Sequence, residues 1–91
     1  SSSIKRPALV VADLEGSDAI LCQITSKERP DKDKIILNIH DLMSGNLKVK
    51  SFVRPSRLFT LRKSIIIYKL GSLKKEKIKE VEEKLCEIFK R

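Results

Sequence analysis

Only one stretch of this chain repeats its apolar residues at helical spacing, and it lies at the C-terminal end. From Leu73 onward, Ile78, Val81, Leu85 and Ile88 or Phe89 recur at intervals of three and four, with mixed charges between them. That pattern predicts a helix over residues 73–91 with one apolar stripe packed on a sheet. Ser72 is placed to cap it, because a hydroxyl there accepts a bond from an unpaired backbone N–H. Everything before Ser72 must therefore build the fold without helices.

The remaining apolar runs are short and rich in β-branched residues. Residues 8–12 (ALVVA), 19–25 (AILCQIT) and 35–39 read as strands, and 64–70 (SIIIYKL) as another that Gly71 ends. A turn around Gly16 joins the first two into a hairpin. Ser44-Gly45-Asn46 marks a second turn. Residues 47–61 read as extended, with Pro55 requiring an edge or a bulge because proline donates nothing to a ladder. The expected fold is mainly β (α+β): a small antiparallel barrel or curled sheet closed by a C-terminal helix. At 91 residues the chain forms a single domain with a modest core, the size at which pairing with a second copy adds stability.

Charge narrows the partner. Twenty Lys and Arg against 12 Asp and Glu give +8, and residues 27–63 hold ten of those cations against four acids. Lys48, Lys50, Arg54, Arg57, Arg62 and Lys63 follow one another with no acid between them. Such a stretch favours a polyanion, most often nucleic acid. The four aromatics, Phe52, Phe59, Tyr68 and Phe89, are expected mostly in the core. No apolar run is long enough to span a membrane and no leader pattern opens the sequence, so a cytoplasmic location is expected. Cys22 and Cys86 stand in a strand and a helix pattern and are read as reduced, buried or half-buried thiols.

Several chemistries lack their residues. There is no GxSxG, HExxH, Walker loop or GxGxxG, and the three glycines are isolated. A single histidine excludes a histidine-pair ribonuclease mechanism, and no metal or other cofactor is expected. Catalysis would have to use Arg, Lys, Thr, Ser, Asp or Glu. Three patterns offer such groups: Lys5-Arg6 ahead of the first strand, Gln23-Ile24-Thr25-Ser26 at the end of the second, and Arg54-Pro55-Ser56-Arg57 around the proline. In a hairpin, Arg6 and Thr25 come side by side, and a guanidinium beside a hydroxyl suits a phosphate. Each pattern also has a plain reading: a surface arginine, a strand-ending turn, and basic guards on an edge strand.

Taken in order, these segments resemble the PemK/MazF family of toxins. The Lys-Arg-Pro-Ala-Leu-Val, Ile-Thr-Ser, Val-Arg-Pro-Ser-Arg-Leu-Phe-Thr-Leu and Lys-Leu-Gly-Ser-Leu segments, then the helix, cover the chain from about Lys5 onward. The resemblance implies an SH3-like barrel, usually a homodimer, that cuts single-stranded RNA without metal. The ribose 2′-hydroxyl attacks the adjacent phosphate, leaving a cyclic phosphate and a 5′-hydroxyl. It implies Arg6 and Thr25 as catalytic residues, with Arg54 as proton donor or phosphate clamp. Lys5, Ser26, Ser56 and Arg57 are the substrate-binding residues beside them. Some members carry an acid where Ser56 stands, so the general base is left open. The partner implied is a cognate antitoxin with an acidic, extended tail. The family pattern also begins with a strand ahead of Lys5, so residues 1–5 read as a loop remnant and the barrel's first strand as missing. The alternative is a truncated or non-catalytic member that binds nucleic acid or an antitoxin-like partner without cleavage.

Overall fold

A computed structural model describes residues 5–91; of the loop expected over residues 1–5, all but Lys5 lies outside the described residues. The chain runs β1 (Ala8–Asp13), β2 (Asp18–Thr25), β3 (Ile35–Leu37), a 3-10 turn (Ile39–Asp41), β4 (Leu42–Gly45), β5 (Ser51–Arg62), a second 3-10 turn (Lys63–Ile65), β6 (Gly71–Leu73) and α1 (Lys75–Phe89). Four strands form one antiparallel sheet in the order β1-β2-β5-β3, and β4 pairs with β6 in a second, small sheet. This is the curled antiparallel sheet with a C-terminal helix that the apolar pattern called for.

β5 is the backbone of the sheet, and Pro55 lies inside it. The ladder with β2 jumps from Cys22↔Leu58 to Gln23↔Arg54, so Pro55, Ser56 and Arg57 bulge out of the pairing. The bulge removes the need for a donor at proline, and the Pro55 side chain turns into the interior. On one side of the sheet Cys22, Ile35, Leu37 and Val53 meet Leu73, Val81 and Leu85 in a single core. Val81 and Leu85 sit one helical turn apart, so α1 docks through the stripe its sequence carries. Arg91 ties the end of α1 to the β2–β3 loop: its guanidinium donates to both carboxylate oxygens of Asp33, at 2.7 and 2.9 Å, and to Glu87 at 3.1 Å.

The sequence reading needs correction at the C-terminal third. Residues 64–70 are not a strand. The β2–β5 ladder stops at Asp18, the first residue of β2, opposite Arg62, and the Lys63 N–H bonds Ser17 O, so the following isoleucines have no ladder to join. They leave the sheet exposed, which β-propensity alone cannot foresee. Gly71 begins a strand instead of ending one. Gly45, expected in a turn, pairs with it at positive φ, and a Cβ on either glycine would run into the other strand's backbone. Ser72 is no helix cap: its hydroxyl shares a 2.7 Å hydrogen bond with Ser44, and the helix starts at Lys75 without a side-chain cap. Leu73 is buried from β6, while Phe89 is exposed. Cys22 is buried, with burial pushing its thiol up to about 11, but Cys86 is exposed on the helix. Of the four aromatics only Phe52 is buried.

Candidate active site

The site follows from strand alternation. Gln23 and Thr25 are two residues apart on β2 and share one face of the sheet. Register places Arg54 opposite Gln23 and Phe52 opposite Thr25, so all four belong to the face turned away from Val53 and the core. Past the start of β1 the hairpin continues: the Ile24 N–H bonds Pro7 O at 3.3 Å, and Ala8 pairs with Gln23. Arg6 stands one residue before Pro7, outside the ladder, at the end of the hairpin where β2 finishes with Thr25. The start of β1 and the end of β2 therefore lie together, and Arg54 comes to that end from the neighbouring strand.

Arg54 is held firmly. Its Nε donates to Asp31 Oδ2 at 2.8 Å and its Nη1 to Gln23 Oε1 at 3.2 Å. The pair is largely withdrawn from water, with 13% of the arginine side chain and 7% of the aspartate exposed. Asp31 Oδ1 accepts a further bond from the Asp33 N–H at 3.0 Å. The Arg54 guanidinium holds the Asp31 carboxyl below the usual carboxylate range, against burial, which pushes it up. Asp31 thus stays charged and fixes the plane of the guanidinium. Two of the five guanidinium donors are used in this way, which leaves others for a ligand. Thr25 Oγ1 accepts the Lys27 N–H at 3.1 Å and keeps its own hydroxyl proton to donate.

Around this pair the face is basic. Lys34 stands 4.8 Å and Lys50 5.7 Å from the centroid of the Phe52 ring, on the β3 side of the site. Lys34 is partly neutralised by Glu28 at 2.6 Å. Arg6 and Lys5 are exposed on the opposite side, at the start of β1. Among the described residues, Arg6, Lys50 and Arg57 form no ion pair with a carboxylate. Ser26 lies just past the end of β2, exposed, and Ser56 and Arg57 ride the exposed bulge immediately after Arg54. Thr25 and Arg54 thus share one stretch of sheet, with Lys5 and Arg6 ahead of β1 and Ser26, Ser56 and Arg57 around its margin. Among the described residues no group of three His, Cys, Asp or Glu stands together as metal ligands would.

Two residues of this arrangement escaped the sequence reading. Gln23 was legible in principle, since it shares its strand face with Thr25. Asp31 was not. It sits among alternating charges after Pro30, and nothing local distinguishes it from Asp33, which serves Arg91 instead.

The fold and this face define a small β protein, a curled antiparallel sheet with guanidinium and hydroxyl donors on one face and cations on both flanks. The family described as PemK-like, MazF-like toxin of type II toxin-antitoxin system matches residues 2–89, and the chain belongs to it. Among solved structures, an endoribonuclease from mycobacterial species is similar. It superposes with a TM-score of 0.73 at 17% identity, over 93% of this chain and 80% of that one. A likeness at that identity speaks for the fold. A comparison with curated protein sequences gives no match.

Proposed function

We propose that this chain is the toxin of a toxin–antitoxin pair and acts as a sequence-selective, metal-independent endoribonuclease on single-stranded RNA. The observation that carries the reading is the Arg54–Asp31–Gln23 arrangement beside Thr25, a rigid donor set on an otherwise basic face. The substrate's own 2′-hydroxyl is the nucleophile. Its oxygen attacks the adjacent phosphorus while the bond to the next 5′-oxygen breaks, giving a 2′,3′-cyclic phosphate and a 5′-hydroxyl. Negative charge grows on the equatorial phosphate oxygens during this step. Donors fixed in advance stabilise it without reorganising, and that is the role proposed for Arg6, Thr25 and Arg54. Arg54 also protonates or clamps the leaving side of the phosphate. Lys5, Ser26, Ser56 and Arg57 bind the flanking backbone.

The chain acts as a homodimer in this reading. Val10, Met43, Val49 and Phe89 leave apolar surface in water, which pairing would cover. Its antitoxin carries an acidic, extended tail that lies across the same basic face. No described helix is long and apolar enough to cross a membrane, in keeping with action in the cytoplasm.

The test is cleavage of a long single-stranded RNA, with and without EDTA, followed by mapping of the new 5′ ends. Selective cuts with 5′-hydroxyl ends that persist in EDTA and vanish in Arg54→Ala and Thr25→Ala support the reading. RNA binding without any cutting supports a non-catalytic member.

A further inference from the structure

The sequence places Tyr68 in a short strand and expects most aromatics in the core, but the structure leaves 61% of it exposed, on the irregular segment that follows β5. The Lys5 ammonium stands 6.0 Å from the centroid of its ring. Lys5 is the residue before Arg6, so this ring flanks the β1 side of the site as the lysines around Phe52 flank the β3 side. The other exposed aromatics lack this setting. Phe59 pairs with Leu21, two residues along β2 from the partner of Arg54, and Phe89 ends the helix, but among the described residues neither has a cation over its ring. Phe52 has its cations but is buried, and offers no face to a base.

We propose that Tyr68 is a stacking platform for a nucleobase of the bound single-stranded RNA, next to the phosphate held at Lys5 and Arg6. The proposal rests on the ribonucleic-acid reading above and adds to it a residue that takes a base. An unpaired RNA strand carries bases with open π-faces and a phosphate on each nucleotide. A protein holds both when an exposed ring stands next to cations, because the ring takes the base while the cations take the backbone. Tyr68, between Lys5 in space and Lys69 in sequence, offers that combination. Every base has a π-face, so the contact raises affinity without choosing sequence. Selectivity is left to polar groups such as Gln23 and Ser56.

The chain has one tyrosine and no tryptophan, so its intrinsic emission reports on Tyr68 alone. The probe is a mixed-sequence single-stranded RNA, 2′-O-methylated throughout so that no 2′-hydroxyl is free to attack. Titration should quench the tyrosine emission in step with binding measured by anisotropy of a labelled probe. Heparin, a polyanion without bases, should bind and leave the emission unchanged. Tyr68→Leu should weaken binding of the RNA about 5- to 150-fold, and Tyr68→Phe should keep it within about twofold, as expected for a lost or conserved stacking contact. RNA binding with unchanged emission, equal quenching by heparin, or full affinity in Tyr68→Leu would each overturn the proposal. Quenching by the modified RNA, with no cutting of its unmodified counterpart, would sink the ribonuclease reading and leave the stacking contact standing. If the parent protein binds no RNA, both fall.

Discussion

Replacing Asp31 with asparagine changes one oxygen to a nitrogen and removes the charge that fixes Arg54. The carboxylate accepts two bonds, from Arg54 Nε at 2.8 Å and from the Asp33 N–H at 3.0 Å, on a side chain only 7% exposed. A hydrogen bond to a charged group contributes about 1.5–3 kcal/mol and a neutral one about 0.5–1.5, so D31N should cost about 1–2 kcal/mol. For a domain of this length that corresponds to a fall in Tm of about 5–15 °C. The loss should depend on pH. Asp31 has a depressed folded-state pKa, so near that range the unfolded chain binds more protons than the folded one, and stability rises with pH. The contribution is complete above the unfolded value of about 3.9 and disappears as pH falls through the lower folded value. Thermal melts of parent and D31N from pH 8 down to pH 2 should therefore show a constant gap near neutrality that closes in acid. A gap of the same size at pH 2 and pH 7, or none at pH 7, would refute the assignment of Asp31 as the charged anchor of Arg54. In the ribonuclease reading, D31N should also slow cleavage at saturating RNA more than it weakens binding, because the guanidinium is still present but no longer fixed.

Three further outcomes follow from the same geometry. In the ribonuclease reading, where the hydroxyl donates to the transition state, Thr25→Ala should reduce the cleavage rate about 10²–10³-fold with little change in Tm, measured by gel assay and melting. Val53→Ala empties part of the fully buried centre and should cost about 2–3 kcal/mol in urea unfolding, combining lost methyl burial with an unfilled cavity. Gly45→Ala should loosen the β4–β6 pair, because the glycine has φ +88° and a Cβ there meets the backbone of Leu70. Hydrogen exchange should speed up at Leu42–Gly45 and Gly71–Leu73 before it does so in β2 or β5.

How much of the molecule was readable in advance depended on the range of the interactions involved. The docking face of the helix was legible because Val81 and Leu85 repeat at the helical period, and period survives in any tertiary setting. The β1–β2 hairpin was legible for a similar reason: apolar runs on both sides of Gly16 form its two strands, which pair as far as Ala8 and Gln23. Pro55 announced its own bulge, since a residue without an N–H cannot continue a ladder.

What lay beyond the sequence was set by partners distant along the chain. Ile65, Ile66 and Ile67 have strand propensity, yet a strand needs a free edge, and β2 runs out at Asp18 before they arrive. Gly71 looked like a stop signal and became a strand only because Gly45 lies across from it. Ser72 had the chemistry of a cap and found Ser44 instead. Asp31 and Asp33 are chemically alike and two residues apart, but folding delivers Arg54 to one and Arg91 to the other. By itself, then, the sequence determined the strands of the hairpin, the helix stripe, the basic stretch and the types of group available for chemistry, because local periodicity and composition suffice for those. Which carboxylate orients Arg54, and which aromatic is left in water beside Lys5, were decided only by tertiary structure, because each depends on pairing between segments whose meeting no local pattern encodes.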